Sequence, residues 1–285
     1  MITQPLKWHG GKSYMAKRII DLMPPHTRYC EPFAGGLAVL FQKPCEGVAE
    51  FVNDLNYELT NFWCHLKYDE LFQKFQRLAE CTPLSQWEFD CAEADSATTQ
   101  ELIKLLDDDN ERQALRRAYK FFIRYRQSRQ GLGKDFCTPT GRTRRGMNEN
   151  VSAWLSAVDG LPEAHARLRR VEIRNQDACE FIRKLDSEET LFYCDPPYLH
   201  ETRHKSATDA YECEMDEEQH HRLLLALANI KGKFILSGYP SKLYSDAEAA
   251  YGWHRIDIQI DNKSSGAKVK EKKTEVLWMN YEVHQ

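Results

Sequence analysis

The sequence predicts an α/β protein: a mostly parallel sheet ending in an antiparallel C-terminal hairpin, interrupted by a mainly helical insertion. Three observations predict it. First, short apolar runs with β-branched or aromatic residues, at 28–30, 48–52, 191–194 and 234–236, each lead into a loop, as strands buried on both faces do. Second, helical patterns lie between and after them, at 37–42 behind a glycine turn and at 216–230, where Leu223, Leu224, Leu227 and Ile230 share one face. Third, residues 253–260 and 274–281 alternate in polarity around a Lys-rich, Gly-containing segment at 261–273, the pattern of a long-looped hairpin at a sheet edge.

The middle of the chain differs from these flanks. Residues 57–79 and 112–129 read as helices with aromatic and leucine faces, and no strand candidate separates them. Residues 131–150, with four glycines, a proline and several bases, read as a long polar loop or hairpin. The expected organisation is an α/β domain in two halves, 1–62 and 164–285, around a helical insertion at 63–163.

At 285 residues and 42% apolar content the chain can bury a substantial core. It has no apolar run long enough to span a membrane and no secretory segment at its start, so the expected address is the cytoplasm. Nine cysteines, an odd number with no pair at C-x-x-C spacing, argue for reduced structural thiols rather than a disulfide framework or a zinc site. The net charge of -4 does not itself invite nucleic acid, but the charge is unevenly placed. Residues 93–111 hold seven acids and one base, whereas 112–145 hold eleven bases against Asp135 alone.

Chemistry concentrates at the ends of the expected strands. Glu31-Pro32-Phe33-Ala34-Gly35-Gly36 follows one strand, and its glycines let the backbone approach a ligand closely. Asp54 ends the next strand, where a carboxylate can accept from both hydroxyls of a ribose, although capping a helix is the commoner duty of such an Asp. Asp195-Pro196-Pro197-Tyr198 ends a third. Its prolines fix the backbone and remove two N–H donors, leaving carbonyls and a carboxylate as a rigid acceptor cluster beside an aromatic ring. Such a cluster suits an amino group with two hydrogens to donate; the plainer alternative is a Pro-rich turn with a capping Asp.

These segments, with Lys7-Trp8-His9-Gly10-Gly11-Lys12 before them and Asn53-Asp54 among them, resemble in order the motifs of Dam-like adenine-N6 DNA methyltransferases, the D12 class. The resemblance continues through Leu236-Ser237-Gly238-Tyr239 and Glu275-Val276-Leu277-Trp278, and only the middle is poorly covered. One departure is Leu37, where many members carry a further small residue or glycine. The resemblance implies a Rossmann-like sheet that binds S-adenosylmethionine, with the insertion as target-recognition domain, in a bacterial or phage-infected cell. It implies that Trp8 and Lys12 lie against the methionine part of the cofactor, that Phe33 and Gly35 flank it, and that Asp54 holds its ribose; core packing is the plainer reading of Trp8 and a solvated charge that of Lys12. Asp177, after the strand-like 171–174, is the candidate for the cofactor's adenine amino group, with a helix N-cap as its other reading.

The implied reaction is direct methyl transfer to adenine N6. That nitrogen's lone pair is delocalised, so Asp195 and the Pro196 carbonyl are expected each to accept one amino hydrogen and support charge as the methyl arrives. The base has to leave the duplex, and Tyr198, beyond Pro197, is the expected stacking platform. Double-stranded DNA is the expected partner, met by Arg124, Arg126, Arg129, Lys134, Arg142, Arg144 and Arg145, with a solvated helix face as the alternative for the bases at 112–120. No metal is expected: His200 with His204, and His220 with His221, read as surface histidines because three or four ligands are needed. An RNA or protein methyltransferase on the same sheet, and a DNA-binding module without catalysis, are the competing readings.

Overall fold

The computed structural model describes residues 2–93, 109–199, 214–261 and 272–283. In chain order the elements are α1 (Ala16–Asp21), β1 (Arg28–Glu31), β2 (Ala49–Asn53), α2 (Tyr57–Lys67), α3 (Asp69–Glu80), α4 (Gln86–Glu93), α5 (Asp109–Gln127), β3 (Thr143–Arg144), β4 (Met147–Asn148), α6 (Glu149–Asp159), α7 (Leu161–Leu168), β5 (Val171–Arg174), α8 (Ala178–Leu185), β6 (Thr190–Cys194), α9 (Glu217–Ala228), β7 (Lys233–Gly238), α10 (Lys242–Tyr251), β8 (His254–Asp261) and β9 (Lys272–Met279). They fall into two compact units. One takes residues 1–20, 35–44 and 56–173, and the other takes 21–34, 45–55 and 174–285.

The second unit carries the sheet. The strand order is β5-β2-β1-β6-β7-β9-β8, and everything from β2 to β8, with Arg174 of β5, lies in this unit. β1 pairs in parallel with β2 and β6, β6 in parallel with β7, and β9 runs antiparallel to both β7 and β8. The fold is therefore the expected α/β sheet with an antiparallel C-terminal hairpin. β6 is buried at every position, which is what a run of five residues, Thr-Leu-Phe-Tyr-Cys, can sustain only between two covered faces. One face carries Cys30, Phe192, Cys194, Phe234 and Leu236 beneath Phe181 and Ile182 of α8 and Leu223, Leu224 and Leu227 of α9.

Local signals start and stop these helices. Asp216 and Gln219 form a capping box at α9, so two otherwise unpaired N–H groups are satisfied reciprocally. Ser241 caps α10, and Gly252 ends it in the left-handed conformation that a residue without Cβ adopts at low cost. His220, expected at the surface, is instead fully buried in α9, with Nδ1 2.9 Å from the Tyr244 hydroxyl; its place on the apolar face of the helix explains the difference. His221 is exposed, and His200 and His204 lie outside the described residues.

The first unit is mainly helical. Leu59, Phe62, Trp63 and Leu66 of α2 bury against Leu115, Ala118, Phe121 and Phe122 of α5. Phe62 stacks on Phe122 at 5.8 Å, and Phe75 of α3 meets both rings edge-on. The helical stretch expected over 57–79 is two helices, because Tyr68 takes an extended conformation between α2 and α3. Residues 37–42 are turns rather than a helix: Leu37 has φ +54, outside the right-handed region, so no regular helix can start from it. The expected polar loop at 131–150 contains the β3–β4 hairpin, whose tip Arg145-Gly146 has positive φ at both residues, as the tight turns of two-residue hairpins require.

Candidate active site

The parallel strands bring three of the motifs to neighbouring carboxyl ends. β1 ends at Glu31 before Pro32 and Phe33, β2 at Asn53 before Asp54, and β6 at Cys194 before Asp195. β1 and β6 are adjacent, the chain continuing from β1 to β2 on one side and from β6 to β7 on the other, so their carboxyl ends form a topological switch point. Open α/β sheets bind ligands in the crevice outside such a point.

Asn53 organises one side of it. Its side-chain amide donates to the Pro32 carbonyl at 3.1 Å and to the Gln176 carbonyl at 3.0 Å, and its amide oxygen accepts from the Gln176 N–H at 3.0 Å. One buried side chain thus ties the loop bearing Phe33 to the loop bearing Asp177. The backbone of half-buried Asp54 is held as firmly, its N–H donating to the Arg174 carbonyl and its carbonyl accepting from Asn175 Nδ2 at 2.7 Å. Asp177 caps α8 through Oδ1, which accepts from the Glu180 N–H at 3.0 Å, while Oδ2 lies 3.5 Å from Arg222.

The other side is the 195–198 loop. Asp195 is half-buried, and its Oδ1 accepts from Ser237 Oγ at 3.0 Å, Ser237 being fully buried on β7 and also 3.2 Å from the Tyr193 hydroxyl. The Tyr198 hydroxyl donates to Oε1 of Glu275, a buried carboxylate on β9, and the Tyr198 ring meets Tyr239 edge-on at 4.6 Å. Burial, then the charges of Asp195 and Glu275, push the Tyr198 phenol well above its usual range, so it stays a donor at neutral pH. Burial likewise raises the Cys194 thiol, which packs inertly under the loop.

Trp8, Lys12 and Gly35 belong to the first unit. Gly35 has φ +45, and a Cβ there would stand 2.9 Å from Trp8 Nε1; one at Gly36 would meet Gln4 Nε2 at 2.2 Å. These glycines admit the indole and the Gln4 amide, which donates to the Gly36 carbonyl at 2.5 Å. Trp8 stacks on Tyr125 at 4.9 Å, and Trp63 Nε1 donates to the Gly35 carbonyl. Lys12 is buried, 4% exposed, with Nζ donating to the Gly10 carbonyl, so it is not a solvated charge.

A match of residues 8–261 to the model of the D12 class N6 adenine-specific DNA methyltransferases decides the family. The chain belongs to that class. The D12-class match takes in every site residue named so far except Gln4 and Glu275. Among its relatives, the DNA N-6-adenine-methyltransferase of Escherichia phage P1 is 26% identical over 85% of this chain, which spans only 31% of that protein's length. Type II methyltransferase M.MjaIII of Methanocaldococcus jannaschii is 24% identical over 97% of this chain and 98% of its own. A solved structure, the putative RNA methyltransferase PH1948 from Pyrococcus horikoshii, overlaps 44% of this chain and 57% of its own at a TM-score of 0.25 and 15% identity.

The basic residues of this D12-class chain separate by environment. Arg129, Lys134, Arg142, Arg144 and Arg145 are exposed. Arg124 donates twice to the Gly133 carbonyl, and Arg145 folds back to Ser152 and Ser156 of α6. Arg126 is half-buried and donates to the Ala153 carbonyl; burial lowers its guanidinium to about 10, so it remains charged at neutral pH. An open cleft of about 630 Å³ between α4 and the 129–139 loop is lined by Phe89, Phe136, Arg129 and Lys134, among others. Among the described residues no three His, Cys, Asp or Glu side chains form a metal-binding group, and no helix is long and apolar enough to cross a membrane.

Ser237, Glu275 and Asn53 carry contacts to which sequence reasoning assigned no duty. Their signal was a polar residue bordering an apolar strand run, as in Phe-Ile-Leu-Ser and Glu-Val-Leu-Trp, or ending a strand.

Proposed function

We propose that this chain transfers a methyl group from S-adenosylmethionine to the N6 amino group of adenine in double-stranded DNA, with Asp195 to Tyr198 as the catalytic loop. The observation that carries the reading is the Asp195 carboxylate, held by Ser237 at the carboxyl end of β6 beside β1, next to two residues that have no N–H to donate. An acceptor cluster at a switch point fits a target that donates two amino hydrogens. The Asp195 carboxylate accepts a hydrogen bond from one amino hydrogen and the Pro196 carbonyl accepts from the other. The nitrogen lone pair is thereby localised and aimed, and the positive charge that develops is stabilised in place. The surplus amino proton passes to Asp195 or to water once the methyl is in place. Tyr198 supplies the ring on which the flipped adenine stacks.

The donor set fits the cofactor. In one unit Asp54, its backbone fixed on both sides, would offer a carboxylate to the ribose hydroxyls, with Phe33 beside the cofactor; in the other, the buried Lys12 ammonium would pair with the cofactor carboxylate, and Trp8 and Gly35 would serve its methionine part and flank. When bound, S-adenosylmethionine supplies an electrophilic methyl on sulfonium. Asp177 serves the adenine amino group through a carboxylate that also caps α8.

The 63–163 segment acts as the target-recognition domain between two catalytic halves, 1–62 and 164–285. Arg129, Lys134, Arg142 and Arg144, exposed on the loop and hairpin, meet phosphates and base edges; Arg124, Arg126 and Arg145 hold the loop's shape and add positive potential. Such an enzyme works in the cytoplasm, on unmodified DNA.

The test is incubation with methyl-labelled S-adenosylmethionine and unmodified DNA, RNA or protein, followed by digestion and identification of the labelled product. N6-methyladenine in DNA is expected. Label on cytosine, or none in DNA, overturns the reading.

A further inference from the structure

Each end of the catalytic loop is held from a different strand beyond β6 in the sheet. Ser237 on β7 donates to Asp195, and Glu275 on β9 accepts from Tyr198. The register brings the two supports together: Gly238 pairs with Val276, so Tyr239 leaves β7 beside Glu275, and the Tyr239 ring closes on Tyr198 edge-on at 4.6 Å. On its other side, Glu275 pairs with Ile258 of β8. Glu275 is 1% exposed where β9 turns from the polar Lys272-Lys273-Thr274 to an apolar run, Val276 to Met279, that is buried completely. A carboxylate in such a place is expensive unless a specific partner uses it, and a residue serving only to fill β9 would be apolar.

A tyrosine ring rotates about two side-chain bonds. The phenolic oxygen lies on the Cβ–Cγ axis, so anchoring it limits rotation about Cα–Cβ, while Tyr239, by contact with the ring, limits the spin about that axis. We propose that Glu275 is a positioning residue for methyl transfer: by holding the Tyr198 hydroxyl it fixes the direction of the ring on which the target adenine stacks, leaving Tyr239 to set the plane. This rests on Tyr198 being that platform. Glu275 touches neither substrate nor cofactor in this role, and its effect passes through one hydrogen bond.

The test measures kcat, KM for unmethylated bacterial genomic DNA, and the dissociation constant of S-adenosylmethionine for Glu275→Gln, Glu275→Ala, Tyr198→Phe and Tyr198→Ala, with the pairing of Glu275→Ala and Tyr198→Phe. Gln keeps the shape and an acceptor oxygen without the charge, so kcat is expected within about threefold of the parent. Glu275→Ala and Tyr198→Phe are each expected to lose about tenfold in kcat with cofactor binding unchanged, because both remove the same anchor. Their combination is expected to be no worse than either alone, since residues acting through one contact are not additive. If the losses multiply in the double variant, or if Gln fails as badly as Ala, Glu275 does not act through the hydroxyl and the proposal falls. Should Glu275→Ala not fold, Gln against Tyr198→Phe still decides: a Gln loss of tenfold or more overturns it. Failure of the underlying reading shows separately, as Tyr198→Ala turning over at the parental rate.

Discussion

Two residues bear the tightest geometric demands. Asp195 must keep Oδ1 on Ser237 while its carboxylate accepts from the substrate. In Asp195→Asn the shape is kept, but the charge is lost and an N–H₂ replaces one acceptor, so a substrate amino group meets a donor. A fall in kcat of at least about 100-fold is expected, the scale on which a single oriented electrostatic contact acts in a transition state. Cofactor affinity should stay within about threefold; a near-parental rate sinks the role assigned to the carboxylate. Gly35 is demanding for a steric reason. Its φ of +45 disfavours any side chain, and a Cβ would press on Trp8 Nε1 at 2.9 Å, in an indole already stacked on Tyr125. Gly35→Ala should cost about 1–3 kcal/mol in urea unfolding and weaken S-adenosylmethionine binding, because the strain is relieved by moving Trp8.

Elements carry the next tests, and show where the sequence speaks clearly. The Asp177 carboxylate starts α8, and Asp177→Ala should lower stability by about 1 kcal/mol as a lost cap. Asp177→Ser keeps an oxygen for the cap and loses the carboxylate. If Asp177 also meets the cofactor's adenine, Ser restores stability without restoring cofactor affinity; recovery of both makes it a cap alone. Packing between α5 and the end of α3 offers a pH test. The Tyr119 hydroxyl lies 2.6 Å from Thr82 Oγ1, and burial pushes its phenol to about 12. Because the folded state keeps a proton that the unfolded chain gives up near pH 10, this stability is complete below pH 10 and lost as pH rises towards 12, on the order of 3 kcal/mol in all. Tyr119→Phe should flatten that decline in urea midpoints taken at pH 9, 10 and 11; an unchanged slope refutes it. Strands β1, β2, β6, β7, β8 and β9 were legible because burial on one or both faces writes itself as an apolar run or an alternation. The turns at 37–42 were not, since an apolar run carries no sign that Leu37 adopts φ +54. Burial of that side chain, 1% exposed, offsets the roughly 1–2 kcal/mol of left-handed backbone. His220 misled for a related reason: a polar name on the apolar side of α9 looks like surface until its partner, Tyr244, twenty-four residues on, is known. The motif residues were legible by type and order. The contacts of Asn53, Ser237 and Glu275 were not, because each joins chain segments far apart in sequence.

Over the whole molecule, a net charge of -4 has to be reconciled with a polyanionic substrate. Screening resolves it: at physiological salt the Debye length is about 8 Å, so a phosphate responds to the bases beside it and hardly to acids elsewhere on the protein. The bases that count are then the exposed ones, and the structure sorts them. Arg142 and Arg144 stand exposed at the β3–β4 hairpin, whereas Arg126 is half-buried and holds the Ala153 carbonyl. Removing a phosphate contact removes roughly one counterion from the release on binding. Arg142→Ala and Arg144→Ala should therefore each reduce the slope of log affinity against log salt by about 1, with kcat at saturating DNA unchanged where the contact is to phosphate alone. Sequence preference should relax as well where the same arginine reads a base edge. Arg126→Ala should behave oppositely, lowering the urea midpoint while leaving the salt slope close to the parent's. Fluorescence anisotropy with duplex DNA from 50 to 200 mM salt separates the cases. If Arg126→Ala flattens the slope and the hairpin variants do not, the DNA-facing surface has been assigned to the wrong arginines.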